Sequence, residues 1–284
     1  MNRVTNALRL HGPIGLGTWK MGTDAATQTR EIAAITHALE IGYRLIDTAE
    51  MYGDGGAESA IGQALQRFGG ARRPELFVVS KVLPDNASRS GTVRACEASI
   101  RRMGCDYLDL YLLHWRGPHR FTETLEGFGE LLSRGLIRHF GVSNLDVDEL
   151  HEWSQAEQSV GLTATVECNQ VYYCAAARGI EFDLLPWQRE RGIWTMAYSP
   201  LQSGELADHP TLTKIGRDRG ASAAQVALAW CVRDPDVVAI PKSVVPQRIE
   251  QNLAAAGLQL TASELAQIDR AFPPPRAKRA LAMV

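Results

Sequence analysis

Apolar residues along this chain fall into short dense runs separated by longer stretches with helical spacing, and the two kinds of segment alternate almost throughout. Val4 to His11 alternates loosely and turns at Gly12-Pro13, which predicts a short N-terminal β-hairpin. Ile14 to Trp19 reads as a first small strand. After the candidate N-cap at Thr23-Asp24, Ile32, Ile35 and Leu39 share one helical face, which stops at Gly42. The pattern then gives strands at Arg44 to Thr48, Leu76 to Val82, Leu108 to His114, Ile137 to Val142, Ala164 to Gln170, Ile193 to Tyr198 and Val237 to Pro241. Between them it gives helices at Glu58 to Phe68, Ser88 to Met103, Glu123 to Ser133, Asp146 to Gln158, Phe182 to Glu190 and Ala221 to Val232. Pro186 sits awkwardly inside the Phe182 helix. Pro246 opens a last barrel helix, and Thr261-Ala262-Ser263-Glu264 is a capping box for a further helix before Pro273.

Eight apolar strands, most of them followed by an amphipathic helix, imply a parallel sheet covered on both faces, and eight is the number that closes into a barrel. The expected fold class is therefore α/β, a (β/α)8 TIM barrel with an N-terminal β-hairpin and extra C-terminal helices, in a single domain over residues 1–284. A doubly wound sheet fits less well, because Gly15-Leu16-Gly17 runs on as Thr18-Trp19-Lys20 and does not complete a dinucleotide-binding glycine fingerprint.

Composition narrows the function classes. With 284 residues and 45% hydrophobic content, a large core can be buried, and the net charge of −2 with mixed signs gives no nucleic-acid face and no polybasic membrane patch. The five cysteines, Cys96, Cys105, Cys168, Cys174 and Cys231, form no metal-ligand or disulfide pattern, so no metal is expected and reduced thiols are. No N-terminal signal and no apolar run of membrane length is present, which points to a cytoplasmic protein, taken as a monomer.

Barrels of this type build their sites at the C-terminal strand ends. Those ends carry Trp19, Asp47, Lys81, His114, Ser143, Asn144, Gln170, Ser199, Lys242 and Ser243. Asp47, Lys81 and His114 recur about one βα unit apart and so project from successive strands into one mouth, where Tyr52 joins them from the following turn. Each has an ordinary explanation as a solvated charge, a core histidine or a turn residue; their coincidence does not. An Asp beside a buried Lys keeps it charged, and an ammonium beside a phenol is expected to lower the phenol's pKa, making Tyr52 a general acid.

The motifs Asp47-Thr48-Ala49-Glu50-Met51-Tyr52, Ser80-Lys81-Val82, Leu113-His114-Trp115, Gly141-Val142-Ser143-Asn144, Asn169-Gln170, Ala197-Tyr198-Ser199-Pro200-Leu201 and Ile240-Pro241-Lys242-Ser243 resemble, in order, those of the aldo-keto reductases. The likeness spans residues 14 to 252, and within the family it is nearest to short-loop bacterial reductases of methylglyoxal and similar small aldehydes or keto sugars. It implies a catalytic tetrad of Tyr52, Asp47, Lys81 and His114. Tyr52 would protonate a carbonyl oxygen, Lys81 and Asp47 would tune it, and His114 would orient the carbonyl.

The resemblance also implies NADPH, bound by Thr18, Trp19, Ser143, Asn144, Gln170, Tyr198, Ser199, Pro200, Leu201, Lys242, Ser243, Arg248, Gln251 and Asn252. Lys242, Ser243 and Arg248 suit a dianionic 2′-phosphate, so NADPH is preferred to NADH. The family commonly has Glu where this chain has Gln251. A small carbonyl substrate would meet Trp19, Tyr52, His114 and Trp115, and Arg116 beside Trp115 could attract an anionic or hydrated polar substrate, its ordinary reading being an exposed rim arginine. Two other readings are a cofactor-sensing protein without turnover and a Schiff-base aldolase using Lys81, against which Asp47 speaks.

Overall fold

A computed structural model describes residues 11–283 of the chain. The hairpin expected at Val4 to His11 lies, except for its last residue, outside the described residues. Eight strands lie parallel in chain order: β1 (Leu16–Gly17), β2 (Leu45–Asp47), β3 (Phe77–Val82), β4 (Leu108–Leu113), β5 (Ile137–Ser143), β6 (Cys168–Tyr172), β7 (Trp194–Tyr198) and β8 (Val237–Ala239). A parallel bridge between Ile14 and Ala239 joins the last strand to the first and closes the (β/α)8 barrel. Closure needs the small residue at Gly17, where a Cβ would lie 2.6 Å from the Ile240 carbonyl oxygen.

The helices are α1 (Ala25–Ile41), α2 (Gly56–Phe68), α3 (Arg89–Met103), α4 (Phe121–Ser133), α5 (Val147–Val160), α6 (Leu184–Glu190), α7 (Pro210–Asp218), α8 (Ala223–Cys231), α9 (Pro246–Ala254) and α10 (Ala262–Ala271). Their ends are set locally. Asp24 caps α1 through Ala26, Ser88 caps α3 through Gly91, and Ser222 with Gln225 forms a capping box on α8. Thr261 and Glu264 form the expected box on α10.

Strand β1 is cut back from Ile14–Trp19 to Leu16–Gly17, and β8 stops at Ala239 short of Pro241, which has no N–H for the ladder. Three further elements differ from their sequence expectation. Helix α6 begins at Leu184, not Phe182, because the Asp183 carboxylate accepts from the Leu184 amide and fixes the start there. Pro186 then falls in the first turn, where no intrahelical N–H is lost. Strand β6 begins at Cys168, not Ala164, since the Glu157 carboxylate takes the Val166 amide at 2.6 Å before it can join the sheet. Helix α7 has no counterpart in the pattern of apolar positions. It buries Leu212, Ile215 and Gly216, and Pro210 opens it.

Side chains alternate across each strand, so every second residue enters the barrel. Leu45, Phe77, Val79, Leu110, Leu112, Cys168, Trp194, Met196, Val238 and Ile240 form one apolar cluster, the barrel interior. The larger cluster between strands and helices surrounds it. All five cysteines are free, four of them buried. Among the described residues no helix is long and apolar enough to cross a membrane.

Candidate active site

Following the inward-facing rows upward leads to the site. Leu45 is succeeded two residues on by Asp47, Phe77 and Val79 by Lys81, Leu110 and Leu112 by His114, Cys168 by Gln170, Met196 by Tyr198, and Ile240 by Lys242. The rows change from apolar to polar within one layer, at the C-terminal mouth, where a cavity of about 770 Å³ opens.

Lys81 is the centre of this layer. It is fully buried, and its Nζ donates to both Asp47 carboxylate oxygens at 2.9 Å and to the Thr48 carbonyl at 2.7 Å, with the Tyr52 hydroxyl oxygen at 3.3 Å. Burial pushes the Asp47 carboxyl up from its ordinary value, against the Lys81 ammonium and the Gln170 amide, which pull it down. The same burial works to discharge Lys81, but the Asp47 carboxylate and its hydrogen bonds outweigh it, so the ammonium is held above its ordinary value. Tyr52 corrects one expectation. Burial of a phenol only 9% exposed raises its pKa by more than Lys81 lowers it, so the hydroxyl holds its proton more firmly than a free tyrosine. His114 stands edge-on to Tyr52 with ring centroids 5.9 Å apart. Burial first, and the Lys81 charge second, lower its imidazole well below 6.5.

A second hydrogen-bonded row continues from the first. The Gln170 Nε2 donates to Asp47 Oδ1 at 2.7 Å and to the Met196 sulfur. Ser143 Oγ donates to the Gln170 carbonyl, Asn144 Nδ2 donates to the His114 carbonyl and to Ser143 Oγ, and the Tyr198 hydroxyl donates to Asn144 Oδ1 at 2.9 Å. Tyr172 stacks on Tyr198 at 5.8 Å with 15° between planes. Asn144 at φ 57° and Ser199 at φ 48° are non-glycine residues in the left-handed region, as are Lys20 and Ser203, and all four line the cavity. Such strain collects where a binding surface is fixed by its surroundings.

At the far end the cavity is cationic. Lys20, Lys242 and Arg248 line it together with Ser243, Gln251 and Asn252. Desolvation lowers the Lys242 ammonium; Glu31 nearby works the other way, and Lys20 and Arg30 lower it further. Crowded cations in a half-enclosed recess suit a phosphate.

Every predicted site residue lines this cavity except two. Lys81 lies beneath it, and Thr18 is wholly buried with its hydroxyl donating to the Asp47 carbonyl at 2.9 Å, so its side chain supports the second strand and does not line the cavity. Arg116 is also diverted. It forms a two-pronged pair with Glu152 at 2.6 and 2.9 Å, lies over the Phe121 ring, and is not part of the wall. Sequence reasoning passed over Lys20, Asp208, Ser222 and Met283, which line the cavity from loops and from the C-terminal segment. Lys20 could have been found, since it follows Trp19 at the first strand end. Met283 could not, because no periodicity links it to the barrel; it is brought there by a tail in which Lys278 bridges Asp146 and Asp183 at 3.2 and 3.1 Å.

Residues 13–272 match the Aldo/keto reductase family. The chain belongs to this family. The reductase is 45% identical over 278 residues to methylglyoxal reductase YeaE of Escherichia coli (strain K12), covering 95% of this chain and 94% of that one. It is 36% identical over 257 residues to an aldo-keto reductase of Mycobacterium sp. (strain KMS), covering 90% and 87%. Among solved structures, the reductase resembles an aldo/keto reductase from Klebsiella pneumoniae in complex with NADP and acetate, with TM-score 0.89, 45% identity and coverage of 96% and 95%.

Proposed function

We propose that this reductase uses NADPH to reduce small aldehydes, α-ketoaldehydes such as methylglyoxal, and keto sugars to alcohols, with Tyr52 as the general acid. The observation that carries the reading is the Tyr52 hydroxyl, 3.3 Å from a buried ammonium, at one end of a cavity whose other end is cationic. Similarity to a protein named methylglyoxal reductase supports the substrate class, and similarity to a structure containing NADP supports the cofactor.

The donor set fits such a cofactor. Tyr198 offers a flat ring backed by Tyr172, Asn144 and Gln170 offer amides, and Lys242, Ser243 and Arg248 offer charge and a hydroxyl for a 2′-phosphate. When bound, NADPH supplies the hydride. The chain's own residues supply everything else. The neutral His114 imidazole orients the carbonyl oxygen, and Tyr52 passes its proton to that oxygen as negative charge develops there. A firmly held phenol proton suits this acceptor, because a forming alkoxide is a stronger base than a phenolate. Lys81 then stabilises the phenolate, and Asp47 keeps Lys81 charged. Trp19, Met51 and Trp115 give the substrate end an apolar wall. A Schiff-base role for Lys81 is disfavoured by its burial and by its pairing with Asp47, since a protonated amine is no nucleophile.

The test is a panel of aldehydes and ketones assayed by NADPH absorbance loss and repeated with NADH. Turnover of methylglyoxal with NADPH is expected; tight NADPH binding without any aldehyde-dependent loss would favour a cofactor sensor instead. Replacing Lys242 and Arg248 singly by Ala should weaken NADPH binding by about 10-fold or more and leave NADH binding nearly unchanged, as loss of a charge-assisted phosphate contact predicts. Equal weakening for both cofactors would remove the 2′-phosphate assignment.

A pH profile tests His114. A histidine whose pKa is lowered gains its proton only as pH falls past that lowered value, so its neutral form persists through 6.5 and above. kcat/KM should therefore show no limb near pH 6.5. A limb there that vanishes in His114→Asn would mean the imidazole titrates normally.

A further inference from the structure

The turn that carries Tyr52 is held in place by a side chain that takes no part in the chemistry. We propose that Glu50 is a positioning residue for Tyr52, clamping the catalytic turn to the loop that follows Lys81; this rests on the reading of Tyr52 as the acid. Lys81 has three N–H bonds to give and four oxygens around it, and the Tyr52 hydroxyl is the farthest, at 3.3 Å against 2.7 to 2.9 Å. Lys81 therefore anchors to Asp47 and Thr48 and does not hold the phenol. The phenol's position depends on the backbone that carries it.

That backbone leaves the sheet early. The Thr48 amide donates to the Val79 carbonyl at 2.9 Å, and the Glu50 amide reaches the Lys81 carbonyl only at 3.5 Å. Beyond this point the turn bonds to itself, through Tyr52 to Ala49 and Ala57 to Tyr52. On its outer side it lies against the loop after β1, where Gly22 meets Gly53 and Gly56 so closely that a Cβ on any of them would fall 2.1 to 2.4 Å from backbone atoms of the facing loop.

On its inner side the attachment is Glu50. Its Oε1 accepts from the Leu83 amide at 2.6 Å and from Asn86 Nδ2 at 3.1 Å. Leu83 comes two residues after Lys81, and the next residue, Pro84, packs against Gly117 in the loop that begins with His114 and Trp115. One carboxylate thus ties the Tyr52 turn to the loop after β3, and through Pro84 to the loop after β4. Since misplacing a reacting group by about 1 Å can cost about 100-fold in rate, a clamp on the inner side of the turn that carries the phenol has a kinetic consequence.

The experiment compares Glu50→Ala, Glu50→Gln and the parent in methylglyoxal reduction with NADPH, together with NADPH affinity and amide hydrogen exchange. Glu50→Ala should lower kcat by about 10-fold, since both bonds are lost and the turn shifts. KM for the aldehyde and Kd for NADPH should change by no more than about two-fold, because no binding group is touched. Glu50→Gln keeps a carbonyl oxygen for the Leu83 amide and should restore kcat to within about two-fold of the parent. Exchange at the Leu83 amide should accelerate in Glu50→Ala and return to the parent rate in Glu50→Gln. A Glu50→Ala variant with parental kcat overturns the proposal. So does one that loses kcat, affinity and thermal stability together, which is general disorder, or a Glu50→Gln variant as impaired as Glu50→Ala. A parent that consumes no NADPH with any aldehyde overturns the assigned reaction instead; exchange at Leu83 then decides the clamp alone.

Discussion

Tyr52→Phe will abolish carbonyl reduction while leaving NADPH binding at its parental strength. The substitution removes one oxygen from a ring that keeps its place between Lys81 and His114, so the cavity retains its shape. What is lost is the proton delivered to the carbonyl oxygen, a contribution of about 10²- to 10⁴-fold for a positioned general acid. The loss should lie in kcat, with the KM of the aldehyde little altered, because the hydroxyl acts mainly as charge develops. Stability should rise slightly or stay level. The measurement is steady-state reduction of methylglyoxal beside fluorescence titration with NADPH; parental turnover in Tyr52→Phe would remove Tyr52 as the acid.

The second large effect is on both stability and rate. Lys81→Met keeps the volume of the side chain but leaves the Asp47 carboxylate buried with only the Gln170 amide to face it. Breaking a buried pair by removing one partner costs about 3–5 kcal/mol. The sign of its pH dependence follows from Asp47. Burial already raises that carboxyl, and without Lys81 the folded-state value climbs further above 3.8. A group with a raised folded pKa adds stability that is present at low pH and fades as pH rises through that value. The deficit of Lys81→Met relative to the parent should therefore be smaller near pH 5 than near pH 8. Adding Asp47→Asn should recover much of the lost stability and none of the activity. Thermal unfolding across pH, with NADPH consumption measured on the same samples, checks both halves.

Much of this could be read from the residues because a parallel barrel converts sequence period into position. Strands of Leu, Val and Ile that end in Asp47, Lys81 and His114 announce a mouth, and parity along each strand carries the row from Phe77 and Val79 to Lys81 without reference to any other element. What could not be read depends on contacts between distant segments. The sequence predicts a Tyr52 phenol acidified by Lys81, yet its pKa is raised, because sequence shows the charge beside it and not the depth of burial. Arg116 looked available until α5 supplied Glu152. Helix α7 escaped because Leu212 and Ile215 alone are too few apolar residues to establish a helical period.

The contact of Gly22 with Gly53 and Gly56 gives the cavity mouth unequal mechanical compliance. Where backbone rests on backbone, no rotamer change can open a gap, so the Trp19 loop and the Tyr52 turn form one stiff jaw. Across from it, the segment from Ser199 to Gly204 holds four residues at positive φ, three of them not glycine, a backbone course that its surroundings must maintain. The Tyr52 turn is thus braced on its outer side by backbone contact, whereas the Ser199 to Gly204 segment keeps its course through contacts made by side chains.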